Sequence, residues 1–190
     1  MSDAPQPQTE PVVPAFHYPD AATIGIALIK RFEDCCLSPL PDTGPVGWQI
    51  GYGCNYTPDG HPVTAHTPPI DRSTAELWLL QRLGGTYANQ TDAMLGDVTV
   101  TSGQRGALYS FGWNSGEGNL LHSTMLRLIL VGKKQEAADE FPKWVYSAGK
   151  RLNGLVLRRA VERAVFLGDV PLEQIPTWKP PVAGESGGSV

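Results

Sequence analysis

Glu33 and Asp42 stand nine residues apart within the stretch LIKRFEDCCLSPLPDTGPVGWQIGYG, which runs from Leu28 to Gly53 of a 190-residue chain. Two carboxylates held by different local structures form an acid–base pair of the kind that cleaves a glycosidic bond. The bridging oxygen leaves only when one carboxyl protonates it, while the other activates water or stabilises positive charge. Such a pair works only if its two environments differ. Ile24, Leu28 and Phe32 recur at four-residue spacing, so Glu33 falls at the C-terminal end of an apolar helix, where exposed carbonyls favour the neutral acid. Asp42 follows Pro39 and Pro41 and precedes Thr43-Gly44, turn chemistry in which amides and water keep a carboxylate charged. Glu33 is thus the candidate acid and Asp42 the candidate base.

The elements that must position this pair follow from periodicity and punctuation. Residues 20–34 read as the first helix, capped by Asp20 or Thr23. Residues 46–66 carry Gly47, Gly51, Gly53, Pro58, Asp59-Gly60 and Pro62, which predicts a small sheet of two or three short strands. A helix capped by Asp71 or Ser73 carries Ala75, Leu77, Trp78, Leu79 and Leu80 and is expected to end near Gly84-Gly85. Beyond Thr101 the pattern is helical: Gln104 to Asn114, Ser123 to Val131, Gln135 to Phe141 and Leu155 to Leu167 each combine an apolar stripe with a stop. A helical majority with one small sheet near the N-terminal lobe is α+β. The expected division is a disordered or draped lead over residues 1–19, one domain over 20–168, and a Pro- and Gly-rich tail over 169–190 in which Trp178 is the one residue suited to docking.

Composition narrows the function. A hydrophobic content of 41% over 190 residues supports a core without metal or disulfide staples. The three cysteines (Cys35, Cys36, Cys54) are read as free thiols, with a bridge from Cys54 to either neighbour as the alternative. The four histidines are scattered and no metal-binding spacing occurs. Neither a signal peptide nor a membrane-spanning run is expected. The net charge of −4 is unevenly placed: outside residues 23–168 lie six acidic residues against Lys179, leaving the domain at +1. From Arg127 to Arg163 nine basic residues face four acidic ones, a half that would attract an anionic polymer or simply show solvated charges. Gly51-Tyr52-Gly53 is no phosphate loop, since no Lys-Ser/Thr or helix start follows.

At these residues the chain resembles the phage-type lysozymes of glycoside hydrolase family 24, whose signature is roughly LIKxFEG, Tyr-x-Asp, then TIGYG. Pro69 to Glu76 is similar to the family's ITxxxAE, Gln104 to Gly116 to its QxxALxSFxFNxG, Ser123 to Leu126 to its STLL, and Gly154 to Glu162 to its GLxxRRxxE. These ordered matches span Ile24 to Leu167. The resemblance implies a lysozyme-like fold with a small antiparallel sheet lobe and a helical C-terminal lobe. It also implies a muramidase that hydrolyses the β-1,4 bond between N-acetylmuramic acid and N-acetylglucosamine, with inversion. It implies no cofactor, no metal and no nucleic-acid partner. The expected setting is a monomeric endolysin made in the host cytoplasm and acting at the wall after holin-type release, with virion or injected delivery as alternatives.

Carried over position by position, the resemblance makes Glu33, Asp42 and Gln49 catalytic, with Tyr52, Asn114, Arg158 and Arg159 binding substrate. One of the two arginines is expected to face Glu33 across the cleft. Departures from the signature are Asp34 for glycine, Leu40 for the aromatic before the aspartate, Cys54 for the histidine after GYG, and Gln49 for the threonine that positions water in the family. Two rival readings remain: a lytic transglycosylase, which needs one carboxyl, and a wall-binding module without turnover. Trp113 is read as core.

Overall fold

The computed structural model describes residues 20–180; the lead expected over residues 1–19 and the last ten residues of the expected tail lie outside the described residues. Helix α1 (Ala21–Phe32) starts where the Asp20 carboxylate accepts from the Thr23 amide at 2.7 Å, and it ends at Glu33, whose backbone is extended. Its buried residues Ile24, Leu28 and Ile29 divide between two cores.

Strands β1 (Cys36–Pro41) and β2 (Trp48–Gly51) pair antiparallel, Leu40 opposite Gln49 and Pro41 opposite Trp48, with an irregularity between Cys36 and Leu40. The first strand thus begins ten residues before the expected sheet. Pro39 and Pro41 concealed it, yet both are tolerated because β1 pairs on one side only. Single bridges, Ile50 to Cys54 and Tyr56 to Pro62, extend this lobe.

Helix α2 (Arg72–Arg82), capped by the Asp71 side chain, does not stop at Gly84-Gly85. It widens into a π-helical turn over Leu83–Ala88 and continues as α3 (Asn89–Leu95). The glycines loosen the helix, while buried Leu83 and Leu95 hold both sides of the turn to the protein.

The central element is α4 (Ser102–Ser115), opened by a reciprocal capping box between Thr101 and Gln104. Nine of its residues are buried, so both cores meet on it. A Cβ at Gly106 would lie 2.6 Å from the Ile24 Cβ and 2.8 Å from the Ala21 carbonyl oxygen. Only glycine lets α4 approach α1 so closely. Short helices α5 (Glu117–Leu121), α6 (Thr124–Leu130) and α7 (Lys134–Ala138) follow, then a hairpin, β3 (Tyr146–Ser147) and β4 (Lys150–Arg151). Long helix α8 (Asn153–Leu167) stops at left-handed Gly168. The α5 turn and this hairpin carry too few residues to show a period.

One core joins α1, α4 and the C-terminal helices around Phe111, Phe141 and Phe166. The smaller one joins Ile29, Tyr52, Cys54, Leu79, Tyr109 and Trp113 beneath the sheet. The segment after Gly168, expected as tail, lies on the domain as far as Pro180. Val170 and Ile175 are buried, and Arg31 donates to the carbonyl oxygens of Ile175 and Trp178.

Candidate active site

Glu33 caps α1 where the helix gives way to the sheet, its amide still donating to Ile29 O at 2.9 Å. Its side chain is 24% exposed, and its two oxygens face different groups. Arg158 on α8 donates from Nη1 to Oε1 at 2.5 Å. The other oxygen, Oε2, lies 3.8 Å from where a Cβ on Gly53 would stand. That same point is 3.7 Å from Gln49 Oε1 and 3.7 Å from Trp113 Nε1. Gly53, in a left-handed turn at φ +85°, therefore stands where Glu33, Gln49 and Trp113 converge, and its missing side chain leaves their polar atoms free of a methyl contact.

Arg158 is itself fixed. Its Nε donates to Glu162 Oε1 at 3.1 Å, and Nη2 donates to the carbonyl oxygen of Ser110 at 3.2 Å. Ser110 Oγ donates to Glu162 Oε1 at 2.7 Å. Arg158, Ser110 and Glu162 are all buried, so this network ties the end of α1 to α4 and α8 in a place where an unpaired charge would be costly. Arg159 faces elsewhere: it donates to Asn114 Oδ1 at 2.6 Å and Ser115 Oγ at 3.2 Å, and its guanidinium stacks over Phe111. Its Nε stands 3.2 Å from Glu162 Oε2, a charge contact too oblique to be a hydrogen bond.

Asp42 lies just past β1, in the turn before β2. Its Oδ1 accepts from the Thr43 amide at 2.8 Å and its Oδ2 from Asn55 Nδ2 at 3.0 Å. Asn55 also donates to Trp48 O at 3.0 Å, so one amide group fastens Asp42 to the strand that bears Gln49. Beside Glu33 opens a cavity of about 340 Å³ lined by Phe32, Asn114, Leu152, Gly154, Leu155 and Arg158.

Several expectations change. Tyr52 is only 2% exposed, with its hydroxyl accepting from Arg72 Nη1 at 3.4 Å and Lys30 over its ring; it packs the small core and presents no face to a substrate. Arg159, fully buried, braces the end of α4 instead of meeting a ligand. Arg158 positions Glu33, so the pairing expected of one arginine falls to the first of the two. Asn114 stays exposed at the cavity, and with Oδ1 taken by Arg159 its Nδ2 is the group it can offer. Trp113 is in the small core as read, and its Nε1 lies on the side of Gly53.

Asp34 is exposed and has no left-handed backbone, so replacing glycine there costs no strain. All three cysteines are free, and burial pushes the Cys54 thiol up to about 11, an inert state. Of the basic half, Lys133, Lys143 and Arg163 pair with Glu136, Glu140 and Asp139, and two arginines are buried. No group of acidic, His or Cys residues among the described residues could hold a metal. Asn55 was not marked by sequence, and Ser110 and Glu162 stood there only within matched motifs; Asn55 and Ser110 act through partners 13 and 52 residues along the chain, while Glu162 also meets Arg158 four residues back on α8.

The family model described as phage lysozyme matches residues 30–162, which include every one of these groups. The chain belongs to the phage lysozyme family. It is 40% identical over 144 residues to an endolysin of Bacillus phage B103, across 75% of this chain and 52% of that protein. Among solved structures it is similar to an endolysin from Escherichia coli O157:H7 phage FAHEc1, with TM-score 0.67 and 28% identity over 78% of this chain and 93% of that one. It is also similar to the muramidase domain of SpmX from Asticaccaulis excentricus, with TM-score 0.61 and 31% identity over 80% and 99%. The chain spans about half the length of the first curated relatives it matches. Among the described residues no helix is long and apolar enough to cross a membrane.

Proposed function

We propose that this family member is a muramidase that hydrolyses the β-1,4 bond between N-acetylmuramic acid and N-acetylglucosamine of bacterial peptidoglycan with inversion. Its proposed setting is a phage or prophage endolysin, made in the host cytoplasm and reaching the wall through holin-type release. Relatives named endolysin and a neighbour named for its muramidase domain support the reading.

The observation that carries it is the division of labour between the oxygens of Glu33. Oε1 is pinned by Arg158, while Oε2 lies on the side of Gly53 and Gln49, next to the cavity that Glu33 helps to line, and is the oxygen from which a proton passes to the glycosidic oxygen. As the bond to the leaving sugar breaks, positive charge develops at the anomeric carbon. A water on the opposite face gives its proton to Asp42 and its oxygen to that carbon, leaving an inverted hemiacetal. Asp42 is suited to this because Thr43 and Asn55 hold its two oxygens without neutralising them. Gln49 Oε1 accepts from the water in place of a hydroxyl.

Glu33→Gln tests the assignment. The fold should survive, because Glu162 and Ser110 still hold Arg158, while clearing of purified sacculi should fall by about a hundredfold to ten-thousandfold. Parent-like clearing by the folded variant would remove Glu33 from the chemistry.

A further inference from the structure

On the small lobe, away from Glu33, lies a second pocket of about 290 Å³ whose walls include Tyr56, Trp78, Gln81, Arg82, Gly85 and Thr86. Its chemistry is unlike that of the site described above. Arg82 lies with its guanidinium over the rings of Tyr56, at 5.3 Å, and Tyr87, at 5.8 Å. Stacking fixes the plane of the fork and leaves its edge N–H groups as donors. Among the described residues no carboxylate pairs with it. Tyr56 is 38% exposed, so one ring of the stack is itself a pocket wall open to water.

The backbone of the same pocket carries a cost that packing does not explain. Gly84 and Gly85 sit inside the π-helical turn, where each is disfavoured relative to alanine. Neither has positive φ, and a Cβ at either would meet nothing within 4 Å. Steric room therefore does not demand the bare backbone, which loosens the helix into its π-turn and keeps the pocket wall at Gly85 low enough for a ligand to approach main-chain groups.

The pocket is also joined to the cleft. Tyr87 packs on Trp113 with ring centroids 4.8 Å apart, and Trp113 Nε1 lies with Glu33 Oε2 on the side of Gly53. Tyr56 follows Asn55, which holds Asp42.

We propose that this pocket binds the carboxylate-bearing stem peptide of the wall polymer while the glycan occupies the cleft. The inference rests on the peptidoglycan reading above and names a second part of that substrate. One guanidinium held against the flat Tyr56 ring, in a pocket that also offers Gln81 and Thr86, complements one carboxylate of a short peptide. It does not complement an uncharged sugar, which offers it no charge, or a polyanion, which would need several cations.

The test uses the isotope-labelled full chain, titrated with the tripeptide L-Ala-γ-D-Glu-meso-diaminopimelate and, separately, with N-acetylglucosamine oligomers. The tripeptide should shift the Trp78 indole and Arg82 Nε–H resonances, and the oligomers should shift Trp113 but not Trp78. Absence of those shifts at millimolar tripeptide, or equal shifts with the sugar, would overturn the proposal. This arm needs neither turnover nor a variant, so it is read independently of whether the chain proves to be a muramidase. In kinetics, Arg82→Gln should raise KM on peptide-bearing sacculi about tenfold, as for loss of a charge-assisted hydrogen bond, with kcat held within about twofold. Cleavage of glycan strands stripped of peptide should be unchanged. An equal loss on both substrates would overturn the proposal too, since it would mean that Arg82 acts only through Tyr87 and Trp113 on the cleft.

Discussion

Gln49 stands where its relatives' signature carries threonine, and its amide oxygen lies on the side of Gly53, as Glu33 Oε2 does. On the proposed mechanism a longer side chain without a hydroxyl would hold the attacking water less rigidly, and misplacing a reactant can slow a reaction on the order of a hundredfold. Gln49→Thr should accordingly raise kcat on purified peptidoglycan with little change in binding; an unchanged or lower kcat would show that the water is held by another group. Glu33 and Asp42 stand out in sequence because each sits at a local boundary, and the structure places the one at a helix end and the other in a turn. Asn55 and Ser110 do not, because their roles exist only once residues 13 and 52 positions apart are brought into contact; Glu162 pairs with Arg158 at helical spacing, but its burial and its bond to Ser110 come only with the fold. Tyr52 misled for the reason that glycines flank it: the turn they permit points the ring inward, not toward the cleft.

Among the elements, α4 positions the most. It carries Trp113 toward Gly53, offers Ser110 to the Arg158 network, and presents Asn114 and Ser115 to Arg159. That depends on its closeness to α1, which Gly106 allows. Alanine at 106 would place a methyl 2.6 Å from the Ile24 Cβ and 2.8 Å from a backbone oxygen. Despite alanine's better helix propensity, Gly106→Ala should destabilise by about 1–3 kcal/mol. Thermal unfolding would show a midpoint lower by roughly 2–4 °C per kcal/mol, and a raised midpoint would mean that the helices part without cost. The long helices were readable from their stripes and caps. Strand β1 was hidden by two prolines that an edge position tolerates, and the continuation of α2 by two glycines that the flanking buried leucines overrule.

At the scale of the whole molecule, two cores share α1 and α4, and the buried ion network closes the gap between lobes behind Glu33. A partly buried carboxylate, Glu117, lies just past the C-terminal end of α4. Glu117 folds back over Gly112, where a Cβ would stand 2.1 Å from its Oε1, and Thr91 Oγ1 donates to it at 3.4 Å. Burial pushes Glu117 up to about 7 from its ordinary 4.5, with the Thr91 hydrogen bond opposing the shift. Because the folded state then holds the proton more tightly than the unfolded one, this group's contribution is full below about pH 4.5 and is lost as pH rises through about 7. Glu117→Gln should stabilise the protein near pH 8 and flatten the dependence, with no gain near pH 4. The gain should be on the order of 1–2 kcal/mol, less than the full shift would give because water still reaches the carboxylate. Denaturant melts at both pH values check this, and a variant no more stable than the parent near pH 8 would contradict the burial argument.

The most direct test of the central claim is the mass of the sugar ends released when the purified chain digests sacculi. A muramidase in which Asp42 activates water must leave N-acetylmuramic acid ends that have gained one water. Fragments ending in 1,6-anhydro sugar, lighter by that water, would assign attack to the substrate's own hydroxyl and contradict the two-carboxylate account.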